Sequence, residues 1–333
     1  MSGHTTRKVA GLFLSSAFVI AGCGGGGSGG SSSPAAASAP VTISAANAVQ
    51  VSGTVYDSAV SLDGAGSGSN VLTGAVTQTG GGADIGGVLV SILRSAQPLV
   101  ASGQFSGVTG AVLSSSGTCT GGGNFSFSLD DVDNDSAIST GDTMSLTFSS
   151  CNEGGVVLNG GMALGGLVVS GDITSFPYTL QFTMQMNNLV ATENGQSETL
   201  NGSLSFSEST TDGVASVGTL SGSSIQYTSG GVTATITGFQ LNTTDDAATG
   251  AYTLDISATV SSPSMGGEAN LVTDTQFQGI GTNNPFSGQA TITGANNSRV
   301  TLLVIDSVNV RLQIDEDGDG VTDSTIDTTW DAL

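Results

Sequence analysis

Polar and apolar residues alternate strictly through most of the chain after residue 124. Tyr178, Leu180, Phe182, Met184 and Met186 alternate with Thr179, Gln181, Thr183 and Gln185, and Tyr252, Leu254, Ile256, Ala258 and Val260 alternate with Thr253, Asp255, Ser257 and Thr259. A period of two sends successive side chains to opposite faces, so each run is a strand with one buried and one wet face. The same reading covers Phe125-Phe127-Leu129, Met144-Leu146-Phe148, Leu200-Leu204-Phe206, Val232-Ala234-Ile236, Ala290-Ile292, Val300-Leu302-Val304 and Val308-Val310-Leu312-Ile314. Short Gly, Asn, Asp or Ser clusters separate the runs.

Short connections and one wet face call for antiparallel pairing. The expected fold class is therefore mainly β, an antiparallel meander of roughly a dozen strands curled into an open or half barrel. A porin-type closed barrel would need aromatic girdles, and only 5% of residues are aromatic. A parallel β-helix would need a fixed-period repeat, which the chain does not show.

Upstream the period differs. SAANAVQVSGTVYDSAVSL places Ala45, Ala48, Val49, Ser52, Tyr56 and Ala59 on one helical stripe behind Ser44 as N-cap, although the β-branched residues around Gly53 favour a strand. ADIGGVLVSILRSAQP predicts a second helix, with Asp84 at its start and Pro98 past its end. One or two N-terminal helices would thus cover the apolar face of the sheet.

At the start of the chain, Arg7 and Lys8 precede the apolar run VAGLFLSSAFVIAG, the pattern of a secretory signal peptide over residues 1–22. Ile20-Ala21-Gly22-Cys23 resembles the lipobox of bacterial lipoproteins, and that resemblance implies cleavage before Cys23 and its lipidation. An ordinary secretory cleavage leaving a free cysteine is the alternative. Residues 24–40, GGGGSGGSSSPAAASAP, form a flexible tether spanning roughly 20 to 25 Å. Gly24 stands where enteric lipoproteins retained at the inner membrane carry Asp. The resemblance therefore implies an outer-membrane lipid anchor, on the periplasmic face or the cell surface. The expected layout is a signal peptide (1–22), a lipidated Cys and tether (23–40), a helical or mixed part (41–118) and an antiparallel β domain (119–333). Residues 41–333 should form one folded unit.

Loss of the signal peptide leaves three arginines, Arg94, Arg299 and Arg311, against 27 acids, hence a net charge of −24. That charge disfavours nucleic acid and anionic membrane surfaces as partners. The only His, His4, and the only Lys, Lys8, leave with the signal peptide. Without them there is no Ser-His-Asp triad, His zinc site, Schiff base or P-loop, so the expected function is non-enzymatic. Cys119 and Cys151 remain in an exported chain, where a disulfide is expected rather than two buried thiols; in the chain-entropy model it stabilises by roughly 3 to 4 kcal/mol.

Ten of the 21 aspartates fall in two 13-residue windows. In DDVDNDSAISTGD, Asp131, Asp133, Asp135, the Ala137 carbonyl, Ser139 and Asp142 occupy the one, three, five, seven, nine and twelve positions of an EF-hand-type loop. Ser136 replaces the usual glycine at six, and Asp142 the longer Glu at twelve. In DEDGDGVTDSTID, Asp315, Asp317, Asp319, the Val321 carbonyl and Asp323 occupy one, three, five, seven and nine, with Gly320 at six. Position twelve is Ile326 there, so the last ligand is missing unless Asp327 moves in. This second loop resembles the DxDxDGxxD loops of thrombospondin type 3 and dockerin modules. Oxygen ligands at this spacing suit structural calcium; the alternative is a solvated acidic turn. Strand-like flanks restrict the EF-hand resemblance to the loops, and the disulfide is expected near the base of the first hairpin.

The lipobox, tether, paired cysteines and acidic C-terminal segment together resemble uncharacterised Gram-negative lipoproteins. The resemblance implies a membrane-attached location and assigns no substrate; the expected function is a structural or binding module whose partner, left open, is a protein, a glycan or an apolar ligand. A half-barrel lipid carrier and a carboxylate-based glycosidase are the alternatives; the latter needs two acids about 5 to 9.5 Å apart.

Overall fold

A computed structural model describes residues 38–60 and 112–333, apart from 134, 136, 154, 173, 174, 194, 195, 230 and 282. The signal peptide, Cys23, most of the tether and the second predicted helix lie outside these residues.

The first predicted helix forms as α1, Ala48–Val60. Its sequence, AVQVSGTVYDSAV, is rich in residues that disfavour helices, so propensity does not explain it. Burial does. Ala48, Val51, Ser52, Val55, Tyr56 and Ala59 are all buried, the i, i+3, i+4 stripe of a helix seated on an apolar surface. Val51 and Val55 join the expected stripe, while Ala45 is exposed and precedes the helix. At the N-terminus Asn47 Oδ1 accepts the Ser44 N–H at 2.8 Å, while the Ser44 carbonyl receives the Ala48 N–H at 2.9 Å.

The sheet has fourteen strands in strictly sequential order, all pairings antiparallel: β1 (Val112–Thr118), β2 (Asn124–Asp130), β3 (Thr143–Glu153), β4 (Val156–Gly171), β5 (Tyr178–Glu193), β6 (Gln196–Thr210), β7 (Ala215–Ser229), β8 (Val232–Asp246), β9 (Ala251–Ser262), β10 (Gly267–Ile280), β11 (Ser287–Thr293), β12 (Arg299–Val304), β13 (Asn309–Asp315) and β14 (Ser324–Thr329). No pairing joins β1 to β14 among the described residues, so the meander is open and lacks the closure a porin-type barrel requires. It begins before the expected boundary at 119.

β1, β4, β7, β10 and β14 were not among the predicted runs. The long ones, β4, β7 and β10, carry bulges. In β4 an extra residue lies between Gly165 and Val168, so the buried set Val156, Leu158, Met162 and Leu164 gives way to Leu167 in the opposite phase along one strand. A bulge inserts one residue and inverts the alternation. In the runs read from the sequence the pattern holds: Leu180, Phe182, Met184, Leu254, Ile256, Ala258 and Val260 are buried. Val232 and Val308 are exceptions: Val232 is exposed at the start of β8 and Val308 in the β12–β13 connection.

α1 packs on the apolar face against β8, β9, β10, β12 and β13. Tyr56 lies edge-on to Phe277 and stacks obliquely on Trp330 with ring centroids 4.9 Å apart, which makes Trp330 a core anchor. Residues 39–41 fix the entry: the Val41 N–H donates to the Glu268 carbonyl at 2.9 Å, and the Ala295 N–H to the Val41 carbonyl at 2.7 Å.

Candidate metal centre

Successive connections of a meander alternate between the two ends of the sheet. The β2–β3 loop, residues 131–142, and the β13–β14 loop, residues 316–323, therefore lie at opposite ends. Each presents an acidic cluster: Asp131, Asp133 and Asp142 in one, Asp315, Asp317 and Asp323 in the other, with one carboxylate oxygen from each residue within 4.8 Å of the others. That spacing is about the diameter of a calcium coordination sphere, whose metal–oxygen distances are about 2.3 to 2.6 Å.

In the β2–β3 loop, backbone N–H groups converge on side-chain oxygens. Asp142 is fully buried; its Oδ1 accepts the Val132 N–H at 3.0 Å and its Oδ2 the Ser139 N–H at 2.7 Å. Asp131, also buried, accepts the Asp135 N–H at 3.2 Å. The Ser139 hydroxyl donates to Asp133 at 3.2 Å, so Ser139 borders the cluster as expected. Asp135 does not join it. This side chain is exposed, and its Oδ1 caps the Ala137 N–H at 2.7 Å. Partial burial raises the Asp135 carboxyl above the usual range; the Ala137 bond opposes this, while the charges of Asp133, Asp131 and Asp142 add to it. Like charges crowd this loop, and a cation would relieve them. The loop is braced from the side: Gly141 donates its N–H to the Leu167 carbonyl at 2.8 Å, and Thr140 exchanges hydrogen bonds with the backbone of Val169 on β4.

The β13–β14 loop brings together Asp315, Asp317 and Asp323 but not Asp319, which accepts the Val321 N–H at 2.7 Å. Val321 is exposed at the tip. Gly320 has φ +94°, the left-handed turn for which the sequence pattern placed glycine at position six. Asp327 does not move in to complete the set. It sits on β14 opposite Arg311 and receives two hydrogen bonds from that guanidinium, 2.6 and 3.0 Å long. Arg299 reaches Asp315 Oδ2 at 2.8 Å. Burial works to raise the Asp315 carboxyl, but the Arg299 hydrogen bond, the Gly320 and Gly318 N–H groups and the Arg299 charge hold it below the usual range.

Cys119 and Cys151 form the expected disulfide, with Cα atoms 5.4 Å apart. Its place differs from the expectation. Cys119 lies in the β1–β2 connection and Cys151 near the far end of β3, while the acidic loop follows Asp130, which pairs with Thr143 at the other end of the hairpin. The bridge thus ties the end of the sheet opposite the acidic loop, because a seven-residue strand separates the two.

Three buried carboxylates were not singled out from the sequence: Glu153 at the end of β3, which accepts the Thr120 N–H at 2.8 Å, Glu198 and Glu208. Glu198 and Glu208 lie on the buried face of β6; Tyr227 donates its hydroxyl to Glu198 at 2.5 Å and Tyr178 to Glu208 at 3.2 Å. The signal was present, since Glu198 and Glu208 share the even-numbered phase of Leu200, Leu204 and Phe206. Ten positions along one strand put them roughly 30 Å apart, beyond the span of a glycosidase pair.

Compared with protein-family models, with curated proteins and with solved structures, the chain matches none.

Proposed function

We propose that the chain is a lipid-anchored, non-enzymatic structural or binding module of the outer membrane, stiffened by its disulfide and by calcium in its acidic loops. The observation that carries the calcium part is the convergence of Asp131, Asp133 and Asp142 at metal-ligand spacing in a loop whose ends are held by strands. Oxygen donors of this kind suit a hard divalent cation. With β2 and β3 paired up to Asp130 and Thr143, such an ion would stiffen the hairpin; it has no pair of helices to move.

The anchor rests on the signal-peptide pattern and on Cys23 in its lipobox-like context, and the acidic surface supports an extracytoplasmic partner that is not nucleic acid. The carrier alternative asks for an open apolar concavity. The described inward-facing apolar side chains, from Phe125 on β2 to Ile314 on β13, are buried, which favours the module over the carrier.

Melting the purified protein with and without calcium tests the reading. A calcium-dependent rise in melting temperature with unchanged far-UV circular dichroism, lost in Asp131→Ala, is expected. Calorimetry showing no heat at millimolar calcium would remove the calcium part. Mass spectrometry of the N-terminal peptide tests the anchor, which fails if Cys23 carries no acyl chain.

A further inference from the structure

The end of the sheet that carries the β2–β3 loop also carries the β4–β5, β6–β7, β8–β9, β10–β11 and β12–β13 connections. Val132, Phe176, Val214, Ile280, Phe286 and Val308 are exposed there, drawn from all of these connections or their strand ends except β8–β9. At the opposite end the exposed large apolar side chains among the described residues are Val232 and Val321. Turn hydrogen bonds set the loops. Asp212 accepts the Val214 N–H at 2.9 Å and the Ala215 N–H at 3.0 Å, Asp246 those of Ala248 and Thr249 at 2.9 and 3.1 Å, and Asp306 those of Val308 and Asn309, each at 2.8 Å. Neighbouring connections also hold one another: Ala247 donates its N–H to the Val214 carbonyl at 2.8 Å, Gly281 to the Gly250 carbonyl at 2.7 Å, and Tyr252 its hydroxyl to the Asn283 carbonyl at 2.8 Å. Phe176 lies against Gly213, where an added Cβ would stand 2.4 Å from its ring. Apolar tips gathered on one preorganised rim are the mark of an interaction surface, which single scattered residues are not.

We propose that this rim is a docking surface for a protein partner that presents basic side chains beside apolar ones. The inference names the partner class of the binding module above and rests on that reading. Charge selects the partner. Asp212 and Asp306 share their loops with Val214 and Val308; the Ala215 and Val214 N–H groups hold the Asp212 carboxyl below the usual range, and the Asn309 amide with the Val308 and Asn309 N–H groups does the same for Asp306. Both are ionised at neutral pH. The arginines among the described residues are Arg299, at the other end of the sheet, and Arg311, inside β13 and paired with Asp327. A second copy or an anionic lipid surface would bring like charge to the rim, whereas a basic surface is attracted to it and its apolar side chains would cover the tips. The chain itself enters elsewhere. Residues 39–41 join Glu268 and Ala295 at the opposite end, so a tether leading there leaves the rim open.

Binding of two synthetic peptides tests this, one alternating lysine with leucine and one alternating lysine with serine, so that they share charge and differ in apolar surface. The wild type is expected to bind the lysine–leucine peptide at least about tenfold more tightly than the lysine–serine peptide. Phe176→Ser with Phe286→Ser should erase that preference, while Val232→Ser with Val321→Ser, at the opposite end, should keep it. Equal binding of the two peptides by the wild type overturns the inference, as does a rim variant that keeps the preference or an opposite-end variant that loses it. Should the first rim variant fail to fold, Val132→Ser with Val308→Ser takes its place with the same expectation. A wild-type dimer in sedimentation that the rim variant dissolves would give the surface to a second copy, and phosphatidylcholine vesicles that bind the wild type and release the rim variant would give it to lipid; either result overturns the inference. Uptake of palmitate that the rim variants leave unchanged would count against the module reading instead, with the peptide preference still deciding the docking surface.

Discussion

Asn188, at φ 50°, donates its backbone N–H to the side-chain carbonyl of Asn201 on the neighbouring strand at 2.7 Å. Ser150, at φ 49°, makes the same bond to Asn159 at 2.8 Å. Each donor sits in a bulge, between Phe148 and Cys151 on β3 and between Met186 and Leu189 on β5. The bulge takes one N–H out of the ladder, and an asparagine across the gap receives it. Asn201→Ala is expected to lower stability by about 0.5 to 1.5 kcal/mol, the net worth of one such bond. Asn188→Val should cost more, because a β-branched residue resists positive φ, whereas Asn188→Gly should be nearly neutral. Denaturant midpoints of the three variants check the order.

Asp142 separates the structural role of the first acidic loop from its metal role. Asp142→Ala leaves the N–H groups of Val132 and Ser139 without their acceptor, so a loss of about 1 to 3 kcal/mol is expected even in chelator. Asp133, exposed, should cost far less in chelator when changed to Ala, yet both changes should abolish the calcium-dependent shift. Paired melts in chelator and in calcium check this.

Gly53 lies mid-helix, where Ala would ordinarily stabilise by about 1 kcal/mol. Here a Cβ would stand 2.3 Å from the backbone carbon of Leu333, so the sign reverses and Gly53→Ala should destabilise. Removing Leu333 should return the substitution to neutral or stabilising, which thermal melts of the two-by-two set would show.

Because the disulfide and the first acidic loop occupy opposite ends of the β2–β3 hairpin, their contributions should add. Cys119→Ser with Cys151→Ser is expected to cost roughly 3 to 4 kcal/mol for a bridge closing a separation of 32 residues. The calcium-induced rise in melting temperature should persist in that variant. Loss of both effects together would show that the bridge shapes the loop after all.

The acid limb of stability should carry the two arginine pairs. Arg311 lowers the Asp327 carboxyl by its hydrogen bond first, and the Asp315 carboxyl is lowered despite its burial. A carboxyl lowered in the folded state stabilises above its unfolded value near 3.8, and that contribution disappears as pH falls through the folded value. The stability differences between wild type and Arg299→Gln or Arg311→Gln should therefore be present at neutral pH and shrink below pH 3.8. Asp135 has the opposite sign: raised in the folded state, its ionisation opposes folding, so in chelator Asp135→Asn should be the more stable protein at neutral pH. That advantage should fade as pH falls through the raised value. Melts in chelator across the acid range check both.

Alternation along the chain sufficed for the fold class, for the buried faces of β2, β3, β5, β6 and β9, and for the aspartates in each loop, because a period of two and the turn chemistry between runs are local properties. It failed at β4 and β7, where a bulge inverts the phase partway along the strand, and at β10, where two extra residues between Thr273 and Gln278 interrupt the alternation before it resumes in phase. The helix at Ala48–Val60 was visible as a stripe, but its poor propensity meant that only a sheet face beneath it could hold it. Cys119 and Cys151 were legible as a pair, and their distance from the acidic loop was not, since that follows from which end of β2 each occupies. By itself the sequence determined two nearly equal aspartate loops in a lysine-poor, acidic chain. Tertiary structure alone decided what each meets: strand register carries Arg299, sixteen residues upstream, onto Asp315, while in the other loop the N–H groups of Val132 and Ser139 close on the buried Asp142.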